Sequence, residues 1–228
     1  MHSVRQARSL CAAMTGSEAE KQAAARAAAA LVSDGQLVGL GSGSTVAYLF
    51  PALAQRGVRV RCVATSPSSE RAARAVGLEV EPFEHVRRLD IAIDGADQIT
   101  AEGWLIKGGG AAHTREKIVA AATDRFIVIA GHEKLVDALR PPVPLELLEF
   151  GLDATLEALA PTTLRDVPRS PDGGLIADYH GPIDDPAELA ARLSATPGLV
   201  DHGLFAPALT SEVLIARGEE ILTLRISG

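Results

Sequence analysis

Cysteine is nearly absent from this sequence. The two cysteines, Cys11 and Cys62, lie far apart and match no metal-ligand spacing, which excludes a disulfide scaffold and a cysteine-built zinc site and leaves two reduced thiols. The six histidines show no H-x-x-x-H pair, so they give no metal signature either. Long apolar runs are missing too: the alanine-rich stretch near Ala23 is broken by Arg26, which excludes a membrane-spanning helix. There is no cluster of Lys and Arg, and the net charge is -7 with a pI near 5.4. That balance excludes a general nucleic-acid binder and leaves any phosphate to a local pocket. Residues 1–16 carry basic residues before an apolar patch too short and too interrupted for a signal core, so they read as a disordered leader on a cytoplasmic protein. Internal repeats, low-complexity tracts and helix-turn-helix patterns are also missing.

What is present is an alternation of helices and strands. Ser17 and Glu20 have the S-x-x-E form of a capping box before an alanine-rich helix that Ser33-Asp34-Gly35 stops. An apolar strand follows over 36–40, then a helix over about 44–55 in which Pro51 predicts a kink or a shortening. A strand over 58–63, a helix from the Ser66-Pro67-Ser68 cap to Val76, a strand over 90–93, a helix over 114–122 and a strand over 126–130 continue the order. Apolar strands alternating with helices predict an α/β fold, a mostly parallel Rossmann-like sheet covered by helices. From Pro141-Pro142 onward prolines and turn residues become frequent and the elements shorten. A strand over 175–179, a helix over 186–193 and a strand over 199–205 predict a smaller inserted α+β domain, a lid or interface, at 143–205. Residues 1–142 and 206–228 then form the α/β catalytic domain, closed by strands near 213–216 and 221–226.

Parallel sheets bind ligands at the carboxyl ends of their strands, so three loops stand out. The first, Gly39-Leu-Gly-Ser-Gly-Ser-Thr45, is neither a dinucleotide fingerprint nor a P-loop. Its backbone amides and the hydroxyls of Ser42, Ser44 and Thr45 around Gly43 suit one compact phosphate; a tight turn with an ordinary cap is the plainer reading. The second, Asp94-Gly-Ala-Asp97, places two acids three apart, a pattern suited to sugar hydroxyls and proton handling in preference to a metal; acids that cap the next segment or face water are the plainer reading. The third sets Lys107 against Gly108, Gly109 and Gly110, an ammonium beside bare backbone amides that suits an oxyanion formed during reaction. Glu116, in the first turn of the next helix, is a general-base candidate or a complement to the helix dipole. Together these loops fit proton abstraction beside a carbonyl in a small phosphorylated sugar.

These residues resemble the type A ribose-5-phosphate isomerases. GLGSGST at 39–45, ATS at 64–66, DGADQI at 94–99, LIKGGGAAHTREKIV at 105–119, the lysine of AGHEKLV at 130–136, HG at 180–181 and PGLVDHGLF at 197–205 occur in that family's order and spacing. The resemblance implies interconversion of D-ribose 5-phosphate and D-ribulose 5-phosphate through an enediolate, with no metal and no cofactor. It implies that Glu116 moves the proton between C2 and C1 while Lys107 and the Gly108–Gly110 amides hold the charge. Asp94 would open the sugar ring or move protons between the oxygens, and Asp97 would bind hydroxyls. Residues 42–45 would take the phosphate with Lys134 and Lys21, Lys21 being placed by counting back from Gly35. The partners implied are a sugar phosphate and further copies of the chain, as a homodimer or homotetramer. Gln98 departs from the family's usual Glu, His113 stands where an apolar residue is common, and His132-Glu133 stand where small residues are frequent. A non-catalytic sugar-phosphate sensor is the alternative; the spacing from the glycines to Glu116 argues against a deaminase or a CoA transferase.

Overall fold

The computed structural model describes residues 16–226. Cys11 and nearly all of the expected leader lie outside that range. Helix α1 (Gly16–Ala30) leads into β1 (Leu37–Leu40). A 3-10 turn at Val46–Tyr48 and α2 (Leu49–Arg56) precede β2 (Arg61–Ala64), α3 (Pro67–Ala75), β3 (Glu79–Val80) and β4 (Ile91–Gly95). Two short strands, β5 (Gln98–Ile99) and β6 (Leu105–Ile106), stand aside before α4 (His113–Ala121) and β7 (Phe126–Gly131). Then come β8 (Val143–Leu147), α5 (Leu152–Ala158), β9 (Thr162–Leu164), β10 (Leu175–Tyr179) and α6 (Pro186–Ser194). The chain closes with β11 (Leu199–His202), β12 (Leu204–Phe205), β13 (Glu212–Arg217) and β14 (Glu220–Arg225).

The main sheet has the order β14-β13-β7-β4-β1-β2-β3. Every neighbouring pair is parallel except β13 with β14. Burial explains the apolar strands: all six residues of β7 are buried, and each of its large side chains gains roughly 1.5–3 kcal/mol on leaving water. Ala24, Ala25, Ala28 and Ala29 form the buried stripe of α1. Their small side chains let the helix lie close on β7 and β13, which brings Lys21, one turn earlier, to the sheet's ligand edge.

Residues 143–202 build a separate antiparallel sheet of order β11-β8-β10-β9, with a core of its own that includes Leu145, Leu147, Ala177, Leu189 and Leu193. A third, three-stranded sheet, β12-β6-β5, joins the two.

Local departures have local causes. Pro51 falls in the first turn of α2, where an amide has no intrahelical partner to lose, and the preceding turn is 3-10, so the expected helix is shortened rather than kinked. The strand expected over 58–63 starts only at Arg61. The strand expected over 199–205 is two strands in different sheets, divided at Gly203. That residue's amide donates to Pro144 O (2.7 Å) and its carbonyl accepts from Lys107 N (2.9 Å), while a Cβ there would lie 2.1 Å from Lys107 O. The capping box is not formed by Glu20. Its carboxylate accepts from Gly218 N–H (2.9 Å) and meets His132 Nδ1 at 3.0 Å; the Gly218 amide comes first among the causes that hold its pKa below the ordinary carboxylate value, followed by His132 against opposing desolvation.

Candidate active site

Because the central strands run the same way, the loops after β1, β4 and β7 open at one edge of the sheet, and the loop after β6 is folded onto the same edge. They enclose a cleft of about 240 Å³ lined by Lys21, residues 42–45, Asp97, Lys107, residues 108–110, Glu116 and Lys134. Every site residue expected from the sequence therefore lies at this cleft except Asp94, which sits behind it. Gly95, Ala96 and Glu133 also line it.

The floor of the cleft is a buried charge cluster. Lys107 Nζ lies 2.9 Å from Asp94 Oδ2 and 3.1 Å from Glu116 Oε2, and it donates to Gly95 O. Asp94 is 2% exposed, Lys107 3% and Glu116 5%, so these charges interact with little screening by water. The other oxygen of Asp94 accepts from Ser42 N–H (3.0 Å) and Gly95 N–H (2.7 Å). Gly41 makes this possible, because a Cβ at that residue would lie 2.0 Å from the Asp94 carboxylate.

Electrostatics divide the roles. Burial disfavours the ammonium of Lys107, but the carboxylates of Asp94 and Glu116 outweigh it and hold its pKa above the ordinary lysine value. Burial and then the charge of Asp94 push Glu116 up to about 7, with Lys107 opposing. A carboxylate so placed takes and returns a proton near neutral pH. The bland reading of Glu116, a first-turn acid serving the helix dipole, does not describe a side chain turned onto a buried lysine.

The glycine run is shaped by neighbours on both sides. Gly108 has φ +108°, and a Cβ there would lie 2.7 Å from His113 Nδ1 and 2.8 Å from Pro144 Cβ. His113 is fully buried; desolvation and then the charge of Lys117 push it down to about 3, so it is a neutral filler in a place suited to an apolar residue. Gly109 N–H donates to Asp97 Oδ2 (2.9 Å), so that amide is shared with an acid of the cleft rather than open. Phe205 closes the cluster from below, its ring centroid 5.5 Å from Lys107 Nζ.

In the loop after β1, Ser42 Oγ is held by Thr65 Oγ1 (2.8 Å) and receives a hydrogen bond from Ser69 Oγ (3.3 Å). Ser69 Oγ also donates to Gly41 O (2.7 Å). Thr45 precedes the 3-10 turn, yet its side chain makes no cap hydrogen bond. The ordinary-cap reading therefore fails at Thr45, and Gly43, Ser44 and Thr45 face the cleft beside Lys21 and Lys134.

Gln98 stands outside the cleft. It accepts from Arg140 N–H (2.8 Å) and donates to Arg140 O (2.8 Å), a two-way clasp that needs one donor and one acceptor. Glutamate would place a carboxylate against that carbonyl. Gln98→Glu is expected to cost about 1 kcal/mol in thermal or urea unfolding while leaving kcat within about twofold, since the clasp does not reach the substrate cleft.

One histidine–carboxylate group escaped spacing rules because Glu20 comes from α1 and the adjacent His132 and Glu133 from the turn after β7. Ligand atoms of Glu20, His132 and Glu133 lie within 4.8 Å of one another, and the Glu20–His132 and Glu20–Gly218 hydrogen bonds account for the arrangement. Arg165, which reaches the glycine run from the small sheet, was also missed. Among the described residues, no helix is long and apolar enough to cross a membrane.

A family model for ribose 5-phosphate isomerase A (phosphoriboisomerase A) matches residues 61–220. The chain is 43% identical over 219 residues to ribose-5-phosphate isomerase A of Gluconobacter oxydans, covering 89% of this chain and 94% of that one. The crystal structure of ribose 5-phosphate isomerase A from Neisseria gonorrhoeae superposes with a TM-score of 0.88 at 29% identity, covering 93% of this chain and 98% of that one. A D-ribose-5-phosphate isomerase in complex with phospho-erythronic acid superposes with a TM-score of 0.86 at 33% identity, covering 93% and 100%.

Proposed function

Because this chain belongs to the ribose 5-phosphate isomerase A family, and so is an aldose–ketose isomerase of the pentose phosphate pathway, we propose that Glu116 carries its chemistry. In the open-chain aldose, the Glu116 carboxylate takes the proton from C2. The electron pair forms the C1–C2 double bond and the carbonyl electrons move onto O1, giving an enediolate. The proton on O2 passes to O1, and Glu116 returns its proton to C1, which leaves the carbonyl at C2. Lys107 and the Gly108–Gly110 backbone stabilise the charge that develops on the oxygens, a contribution larger in the transition state than in the bound sugar.

Asp97, facing the cleft, binds hydroxyls and is placed to help open the ring. Asp94, behind the cleft, acts through Lys107 by fixing the ammonium's position and charge. The backbone and hydroxyls of residues 42–45, with Lys134 and Lys21, hold the phosphate at the other end. No step calls for a metal or an organic cofactor. The observation that carries this reading is the Glu116 carboxyl, buried 3.1 Å from Lys107 Nζ and pushed up to about 7, within the same cleft as a phosphate-sized glycine and hydroxyl loop. That a solved relative holds phospho-erythronic acid supports a phosphorylated sugar acid as a mimic here.

The test is NMR of chelator-treated protein with ribose 5-phosphate in D2O. Conversion to ribulose 5-phosphate with solvent deuterium entering at carbon is the expected result. Binding without conversion or exchange would restore the sensor alternative, which the family match does not support. We also infer a cytoplasmic homodimer or homotetramer. Exposed Phe150 (94%) and Leu148 (53%) beside the small sheet support self-association, and light scattering reads the subunit number.

A further inference from the structure

Arg165 follows β9 in the small antiparallel sheet, does not line the cleft, and still reaches its most important loop. Its Nε and Nη2 grip Asp178 of β10 at 2.6 Å each. Nη1 is left to donate to Gly108 O at 2.9 Å and, more weakly, to Gly109 O at 3.4 Å. The Arg165 side chain is 17% exposed and that of Asp178 16%. Such a two-pronged pair, held rigid by the sheet beneath it, aims the third nitrogen at one place.

We propose that Arg165 is a positioning residue for the isomerisation: by holding the carbonyls of Gly108 and Gly109 from outside, it turns the amides of Gly109 and Gly110 into the cleft. The reason is the geometry of a trans peptide, in which the carbonyl and the next N–H point in opposite directions across one plane. A carbonyl pulled toward Arg165 therefore sends the following N–H the other way. Gly109 N–H does so, donating to Asp97 on the cleft side. Glycines need such an external hold, because with no Cβ their peptide planes rotate freely. The positive charge also polarises both peptides, which strengthens the Gly109 amide's bond to Asp97 and makes the Gly110 amide a better donor to a developing oxyanion. The chain segment that would feel its loss is otherwise tied at Lys107 N–H by Gly203 O (2.9 Å), at Gly108 O by Ala111 N–H (3.1 Å) and at Gly109 N–H by Asp97 Oδ2 (2.9 Å). Lysine would not substitute, since one ammonium cannot serve a carboxylate fork and two carbonyls in a plane.

This inference rests on the isomerase reading, and wild-type turnover measured alongside separates the two: no wild-type conversion ends that reading, whereas altered variants of an active enzyme test Arg165. In Arg165→Gln, kcat is expected to fall about 10- to 100-fold, the range for misplacing rather than removing oxyanion donors. Inhibition by phospho-erythronic acid, whose carboxylate resembles the enediolate in charge, weakens about tenfold or more, tracking kcat. KM for ribose 5-phosphate and inhibition by inorganic phosphate stay within about threefold, because the phosphate loop is untouched. Added guanidinium restores part of the kcat of Arg165→Ala. Asp178→Asn, which keeps the arginine but loosens its fork, shifts kcat the same way by a few-fold and serves if the arginine variants fail to fold. A folded Arg165→Gln with kcat within twofold of wild type overturns the proposal. So does a parallel loss of phosphate affinity, kcat and melting temperature without guanidinium rescue, which would make Arg165 a purely structural tie.

Discussion

Glu116→Gln is expected to lower kcat by roughly 10²–10⁴-fold, the contribution of a positioned base, while leaving inhibition by inorganic phosphate unchanged. Glutamine keeps the volume and a hydrogen bond to Lys107 but cannot accept a carbon-bound proton. A second signature follows from the environment of the carboxyl. Burial and Asp94 push Glu116 up to about 7, so in the wild type kcat/KM should fall about tenfold per pH unit below that value, as the base becomes protonated. This limb stands about a unit above the second ionisation of the substrate's own phosphate, near 6, and it should vanish from the residual activity of the variant. Stability moves independently. The folded pKa of Glu116 is raised, so its stabilising contribution is fully present below 4.5 and is lost as pH rises through about 7. Glutamine removes that loss, and the melting temperature at pH 8 should not drop. Normal turnover in the variant, or a limb unchanged by it, would end the assignment.

Lys107→Met should damage both chemistry and fold. With the ammonium gone, the Asp94 and Glu116 carboxylates remain buried with no cation between them. Removing one partner from a buried ionic cluster costs about 3–5 kcal/mol, because the abandoned charges keep their desolvation penalty. The protein can relieve part of that by holding a proton on Glu116, whose pKa Lys107 now lowers. The acidic limb should accordingly move above 7. Loss of the charge that faces the enediolate lowers kcat further, by about 10²–10³-fold on the scale of a single lost oxyanion donor. Calorimetry and a pH–rate profile of the same preparation read all three effects. A melting temperature equal to the wild type's would show that the cluster is not the buried unit described.

The sequence was most legible where a local rule decides. β7 is a run of apolar β-formers too short for a helix and bounded by turn residues. Ser66 and Pro67 mark the start of α3, and the Ser66 side chain does accept from Ser69 N–H (3.1 Å). The glycine-rich loops mark the cleft because bare backbone at strand ends has few other uses. It failed where the partner is distant. Asp94 and Asp97 look alike in a row of letters, yet one is turned behind the cleft, through space left by Gly41, and the other faces into it. β8 escaped notice because Pro144 reads as a breaker, although here its carbonyl is put to use by Gly203 N–H. Arg165 was invisible for the same reason: neither the glycine carbonyls it holds nor Asp178 leaves a local sequence trace.

The pairing of β7 with β13 sets an order of assembly. Val213 lies against Val128 and Leu214 against Ile129, with the whole small sheet between them in the chain. Closing so long a loop costs conformational entropy before any contact repays it. During synthesis β7 therefore waits with one edge unpaired and apolar until the last strands leave the ribosome. Such an edge is a template for another chain's strand. The second sheet lies wholly within that loop, so once formed it shortens the effective span and brings β13 back to the open edge of β7.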